Sequence, residues 1–199
     1  LSSPLIAPEE HMQLRQHPGL VPGIGENPGN KPVQFLQSAS GGKLVLAGSQ
    51  DGTMRLVDPL TGQTLRTQQY PDPYRAVALA ADGSWFVVAG TDMVLRTREL
   101  EHQSTGLKTD AGVGEIWSLA FAKDGLQVLV GGAKGGAVLL NNNGLSRAAV
   151  LPGGDGPVSV VAGSPDGRLF AVGGVDRKIR VFSSESAPPQ ILDGHDGTI

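Results

Sequence analysis

Short apolar runs bounded by Gly, Asp and Asn dominate the chain from residue 32 onward. One stretch shows the arrangement completely, with runs at 116–121, 127–130, 137–140 and 147–151. Runs of this length between turn residues are typical of β-strands rather than helices. The Asp124-Gly125 turn after the first run favours positive φ, which suits a tight hairpin. The pattern therefore predicts four short antiparallel strands in this stretch.

The same pattern recurs along the chain at a constant interval. A small residue followed by glycine closes an apolar run four times, and the position number rises by 42 at each step: Gly48, Gly90, Gly132 and Gly174. Turn glycines precede them at almost the same interval: Gly42, Gly83, Gly125 and Gly167. A third series keeps the interval as well: Leu65, Leu107, Ala149 and Ile191. Three markers in one register indicate four equivalent units.

These units predict a stack of sheets. A lone four-stranded sheet cannot bury both of its faces, whereas sheets arranged around a common axis cover one another. We expect an all-β fold, a β-propeller of four-stranded antiparallel blades, with blades at about 32–72, 73–114, 115–156 and 157–197 and the start of a fifth. Because an open stack leaves exposed sheet edges, we expect the remaining blades to belong to a longer parent chain.

The segment 1–31 differs from the repeats. Three Pro-Gly pairs fall close together there and break regular structure: Pro18-Gly19, Pro22-Gly23 and Pro28-Gly29. We expect this segment to be a linker or to dock on a neighbouring module. The chain begins with Leu1 and stops at Ile199 as a new apolar segment begins, so both ends are expected to be cut from something longer.

Two segments carry a family resemblance. Residues 164–182 read SPDGRLFAVGGVDRKIRVF, and residues 50–58 read QDGTMRLVD. With Gly194-His195, they resemble the WD-repeat (Trp-Asp repeat) β-propeller family, whose repeats run about 40–45 residues. The divergent pattern is similar to bacterial members. Other propeller families with Asp-Gly hairpins, such as quinoprotein-like and lactonase-like ones, stay open as alternatives.

The chain departs from the family pattern at the positions of a hydrogen-bonded network. The resemblance implies a His, a turn Asp, a Ser or Thr and a Trp in each blade. Here the turn Asp is present as Asp51, Asp92 and Asp176, only His195 follows a glycine in the expected place, and the Trp is replaced. We therefore expect the blades to cohere through apolar packing. A second series of turn aspartates is predicted to be structural, since Asp favours hairpin turns: Asp82, Asp124 and Asp166.

Composition and charge narrow the chemistry. The chain has 199 residues, a net charge of −3 and no Cys, and its content of Gly (29) and Pro (14) suits many turns. The negative charge argues against general nucleic-acid binding, and the absence of Cys excludes disulfides and thiolate sites. No apolar run is long enough to span a membrane. Since no catalytic or metal-ligating cluster stands out, we expect no catalytic residues, no metal and no cofactor.

The resemblance implies where a partner binds. In the family, loops from each fourth strand to the next first strand gather on one rim, which often binds partners. Tyr, Trp and Arg are favoured at the centres of interfaces. The candidate partner-binding residues on or beside these loops are Tyr70, Asp72, Tyr74, Arg75, Glu115, Trp117 and Asp155. The alternative for both tyrosines and for Trp117 is packing within the blades. Basic residues elsewhere are predicted to form solvated strand faces: Arg96, Arg98, Lys178 and Arg180.

Three functions are open at this point. The first is a non-enzymatic scaffold that binds a protein or peptide partner through rim loops, with no nucleic-acid or membrane partner. The second is an accessory propeller of a multidomain enzyme or signalling protein, with its effector domain outside this chain. The third is a propeller enzyme with a site in the central channel. Of these we expect the first, in the cytoplasm.

Overall fold

The computed structural model describes residues 32–49, 51–69, 74–90, 92–99, 106–122, 125–184 and 186–199. The predicted segment 1–31 and the candidate residues Tyr70, Asp72 and Asp124 lie outside the described residues. Within the described ranges the chain forms sixteen β-strands and one short 3-10 turn, Ser40–Gly42. None of the described segments is a helix long and apolar enough to cross a membrane.

The strands form four separate sheets of four, which we call blades 1 to 4. Blade 1 contains β1 (Val33–Ala39), β2 (Leu44–Ser49), β3 (Thr53–Val57) and β4 (Thr64–Gln69). Blade 2 contains β5 (Tyr74–Leu79), β6 (Trp85–Gly90), β7 (Val94–Glu99) and β8 (Lys108–Asp110). Blade 3 contains β9 (Ile116–Ala122), β10 (Gln127–Gly132), β11 (Ala137–Asn141) and β12 (Ser146–Leu151). Blade 4 contains β13 (Val158–Gly163), β14 (Leu169–Gly174), β15 (Ile179–Ser183) and β16 (Ser186–Leu192).

Each blade is an antiparallel meander in which strands pair in chain order. The first strands of successive blades lie beside one another, so β5 contacts β1 and β9, and β9 contacts β13. We call these first strands the inner strands. The fourth strands β4 and β12 are mostly exposed and lie on the outer side of their blades, which from here on we call the rim. The predicted all-β fold of four-stranded antiparallel blades is confirmed.

Alternation along the second strands explains why the apolar runs are unbroken. In β6, Phe86 and Val88 pack in the core shared with blade 1, while Val87 and Ala89 pack in the core shared with blade 3. Successive side chains of a strand point to opposite faces. Because blades 2 and 3 have a neighbour on each side, both faces need apolar residues. Three cores, one between each pair of adjacent blades, result from this arrangement.

Candidate partner-binding face

Every inner strand contains a β-bulge at the same place. In β5, Tyr74 pairs with Gly90 and Ala76 with Ala89, so the ladder skips Arg75. The pairing skips equivalent residues in the other three inner strands: Gln34, Trp117 and Ser159. A bulge re-aims the extra side chain and increases the local twist of its strand. The fold therefore offers one irregular position per blade, at the start of each inner strand.

Two of the glycines that mark the repeat stand opposite these bulges with no room for a side chain. A Cβ on Gly132 would lie 2.3 Å from the carbonyl oxygen of Glu115, and one on Gly174 would lie 2.5 Å from that of Pro157. The same two carbonyls accept hydrogen bonds from Ala133 N at 2.9 Å and Val175 N at 3.2 Å. Glycine at these positions therefore lets the incoming loop close onto the second strand.

Three of the four bulged residues are exposed, and the fourth, Ser159, is half-buried. Arg75, Trp117 and Gln34 are exposed, whereas Tyr74 and Ile116 beside them are buried. In blades 3 and 4 the bulge follows a described loop that returns from the rim to the inner strand. We call this side of the molecule, formed by the bulged residues and the loops 111–115 and 152–157, the loop face.

The structure brings three of the candidate partner-binding residues close together. Arg75 Nη2 lies 3.0 Å from Glu115 Oε1, which links blade 2 to the loop that enters blade 3. Their side chains are 55% and 38% exposed, so the pair adds little to stability. Trp117, 38% exposed, follows two residues after Glu115. Asp155 is exposed in the next loop. The loop face thus carries an aromatic ring beside a paired acid and base.

Tyr74 has a different environment. It is buried, its ring meets that of Phe35 edge to face with centroids 6.2 Å apart, and its hydroxyl donates to the Gly52 carbonyl at 2.9 Å. This placement matches the packing alternative for Tyr74. The loop face is accordingly defined without it.

The turn aspartates hold their hairpins through a shared contact. In five described turns the carboxylate accepts a hydrogen bond from the backbone N–H two residues later, at 2.8–3.3 Å: Asp51, Asp82, Asp92, Asp166 and Asp176. Asp is favoured in turns because its side chain makes this local bond. His195 is exposed in the segment that follows β16.

Two arginines expected on solvated strands instead pair with turn aspartates. Arg180 Nη2 lies 2.6 Å from Asp176 Oδ2, with both side chains 12% exposed, and Arg180 Nη1 donates to the Gly153 carbonyl at 3.0 Å. Arg96 forms the equivalent ion pair with Asp92. The solvated interpretation is therefore wrong for Arg96 and Arg180, while the Arg98 side chain lies outside the described part of the chain. Lys178 is 42% exposed and lies 3.9 Å from Asp193.

A sequence signal for these pairs existed. An Asp followed four residues later by an Arg occurs in three of the four turns, in register with the repeat: Asp51 and Arg55, Asp92 and Arg96, Asp176 and Arg180. Gly153 occupies the place in its unit that His195 occupies in the next unit, where the family pattern has its His. In blade 4, Arg180 of β15 contacts both the Gly153 carbonyl and the turn aspartate Asp176.

Acid is expected to remove the contribution of the Asp176–Arg180 pair to stability. The hydrogen bond from Arg180 holds the pKa of Asp176 below its usual range, so the pair stabilises the fold above the ordinary aspartate value of about 3.9. At neutral pH, Asp176→Asn should cost about 2 kcal/mol. In urea unfolding series, this difference should shrink as the pH falls through the lowered pKa, and a pH-independent difference would contradict the assignment.

The acidic side chains do not form a metal site in the described part of the chain. Among the residues that the structure describes, no three His, Cys, Asp or Glu side chains gather as they would to hold a metal ion. Each carboxylate with a lowered pKa owes it to a local hydrogen bond: Arg96 for Asp92, Ser164 for Asp166, Arg180 for Asp176 and the Leu60 backbone for Asp58. Hydrogen bonds to nearby residues thus account for the lowered pKa values of these four aspartates.

Comparison with known proteins identifies the repeat. Residues 146–183 match the family model "WD domain, G-beta repeat". The match runs from β12 through the first three strands of blade 4. No curated protein matches the sequence significantly. Together with the strand order of the blades, this match to one repeat supports a β-propeller of the WD-repeat type.

Solved structures support the same fold. One of them, "Structure of U3-55K", superposes with a TM-score of 0.74 at 15% sequence identity. The alignment covers 85% of this chain and 54% of that chain, so this chain spans about half the length of that protein. Matches extend to 1394 chains, which makes the architecture widespread. At this identity the likeness concerns the fold, and function has to be argued from the site.

Proposed function

We propose that this chain is a non-enzymatic interaction scaffold that binds a protein or peptide partner on its loop face. The observation that carries the proposal is the repeated bulge, which leaves exposed side chains at the starts of adjacent inner strands. A glycine pairs with the residue before the bulge in blades 2 to 4 and Ser49 does so in blade 1, and this pairing leaves the bulged residue itself free to vary. It does vary, as Gln34, Arg75, Trp117 and Ser159.

The chemistry of this face suits recognition. Trp and Arg dominate the energy of many interfaces, especially where they are partly preorganised. Here Glu115 orients Arg75 at 3.0 Å, and Trp117 presents a partly exposed ring nearby in sequence. Binding through such a surface requires no proton transfer or nucleophile. The WD-repeat family is generally non-enzymatic, which supports this type of function for the chain.

Replacing Trp117 tests the proposal. Trp117→Ala should reduce recovery of the specific partner at least tenfold in affinity capture from the source organism, because a hot-spot aromatic is worth about 2 kcal/mol or more. Leu126→Ala is the matched control. Leu126 is also a large exposed apolar residue of blade 3, at 61%, but it lies in the hairpin between β9 and β10, at the far end of the inner strand.

Both variants must first melt close to the wild type. Quantitative mass spectrometry of the captured proteins should then show partners lost with Trp117→Ala and retained with Leu126→Ala. Equal recovery by the wild type and the folded Trp117→Ala variant would remove the loop face as the binding surface.

A further inference from the structure

A groove opens at the rim between blades 3 and 4. Its volume is about 750 Å³, within the range of roughly 300–1,000 Å³ typical of ligand sites. Its floor contains side chains of the core that the two blades share: Leu139, Phe170 and Phe182. The strand β12 forms one wall and the turn 166–168 another. The groove is thus a place where an inter-blade core reaches the surface.

The outer strand of blade 4 explains why this core is open. Val181 pairs with Gln190 and Ser183 with Ser186, so three residues of β16 stand opposite Phe182 alone. Two of the three are Pro188 and Pro189, which have no N–H to donate to β15. The strand therefore bulges beside Phe182, and both prolines line the groove. Their rings make this wall stiff.

The wall formed by β12 has a free hydrogen-bonding edge. The strand is the last in its sheet and, among the described strands, pairs with β11 alone. Residues 148–151 of this strand line the groove. An unpaired strand edge is a template to which an extended peptide can add, with its alternate side chains entering neighbouring pockets.

One carboxylate and one guanidinium, those of Asp166 and Arg168, lie at the mouth of the groove. Asp166 accepts hydrogen bonds from Ser164 Oγ at 2.6 Å and from the Arg168 backbone N–H at 3.0 Å. The Arg168 guanidinium, 73% exposed, lies 3.8 Å from Asp166, which is longer than a hydrogen bond. Both hydrogen bonds from the turn reach Oδ1 of the carboxylate, and Oδ2 is too far from Arg168 for a hydrogen bond, so the guanidinium keeps donors available for another acid.

Some details of this groove are particular to blade 4. The residues equivalent to Arg168 in blades 3, 2 and 1 are Leu126, Ser84 and Lys43, and positions 146–147 of blade 3 stand where blade 4 has its two prolines. The fourth strands of blades 1 and 3 also bulge at this place, but by one residue and without proline. The wider bulge, the two prolines and the arginine are thus particular to blade 4, which makes them the features to test for recognition.

We propose that this groove binds an extended peptide segment of a protein partner, with a large apolar side chain on the Phe170 and Phe182 floor and a carboxylate paired with Arg168. The edge of β12 supplies backbone hydrogen bonds, and the proline wall keeps the site open before binding. The groove is a second site, which shares only Pro152 with the loop face, so it does not rest on the function proposed above.

A titration with defined peptides tests this. The probes are two capped octapeptides in which leucine alternates with threonine, one containing a single glutamate and the other glutamine in its place. Chemical-shift changes in the labelled protein should cluster on residues 148–151 and 166–170. The glutamate peptide should bind about threefold more tightly than the glutamine peptide, the value expected for one ion pair at an exposed guanidinium.

Arg168→Gln should abolish the preference for the glutamate peptide, while Lys43→Gln, the matched basic residue of blade 1, should preserve it. Trp117→Ala should leave the titration unchanged, which separates this site from the loop face. The proposal is overturned if neither peptide gives saturable shifts, if the shifts map elsewhere, or if Arg168→Gln keeps the preference. Binding of octanoate in the groove without binding of the peptides would also overturn it, in favour of a small amphiphile.

Discussion

Leu129→Ala is expected to lower the free energy of unfolding by about 3 kcal/mol. Leu129 is fully buried on β10 and packs in the core between blades 3 and 4, while its neighbours Val128 and Val130 pack in the core between blades 2 and 3. Truncation leaves a cavity between two sheets whose backbones are fixed by their own ladders. The surroundings can therefore collapse only in part.

Urea unfolding followed by fluorescence measures the effect of this substitution. Leu126→Ala, three residues earlier and 61% exposed, serves as the control and should change stability by no more than about 0.5 kcal/mol. If both variants unfolded at the same urea concentration as the wild type, the inter-blade cores would not hold the fold together.

Gly132→Ala is expected to destabilise the protein by about 3 kcal/mol and to disturb the loop face as well. The new Cβ would meet the Glu115 carbonyl oxygen at 2.3 Å and the Val113 carbonyl oxygen at 3.0 Å. Both are backbone atoms, so the loop itself must move. That movement strains two hydrogen bonds, Ala133 N to Glu115 O and Lys134 N to Val113 O, each 2.9 Å long.

Gly197→Ala is the control for this substitution, because a Cβ at Gly197 meets nothing within 4 Å. Thermal melts should separate the two variants clearly, and backbone resonances of Glu115 and Trp117 should shift with Gly132→Ala alone. A Gly132→Ala protein with wild-type stability and unshifted loop resonances would show that the glycine does not position the loop.

Much of the fold could be predicted because turn residues recur at a constant interval in the sequence. The evenly spaced glycines are visible in the sequence, and two of them have a clear local cause: Gly132 and Gly174 admit the carbonyls of Glu115 and Pro157. The apolar runs of β10 and β11 are buried on both faces, as expected for a blade that packs between two neighbouring blades. Such local signals survive even where the family's Trp is replaced.

The site was less predictable because it depends on register. Whether Arg75 or Tyr74 faces solvent is decided by a one-residue bulge, and nothing in the apolar pattern reveals which residue the ladder skips. The Asp176–Arg180 pair was missed because strand alternation alone makes Arg180 a solvated residue. The groove beside Phe182 depends on the two prolines of β16 falling opposite that ring, a relation between strands rather than along one.

A crystal structure of this chain tests the central claim most directly, namely that adjacent blades meet through bulged inner strands whose extra residues form the loop face. The account predicts β5 beside β9 and β9 beside β13, with Trp117 skipped by the ladder and the Glu115 carbonyl bonded to Ala133 N. Inner strands with regular ladders, or blades that do not meet through them, would contradict it.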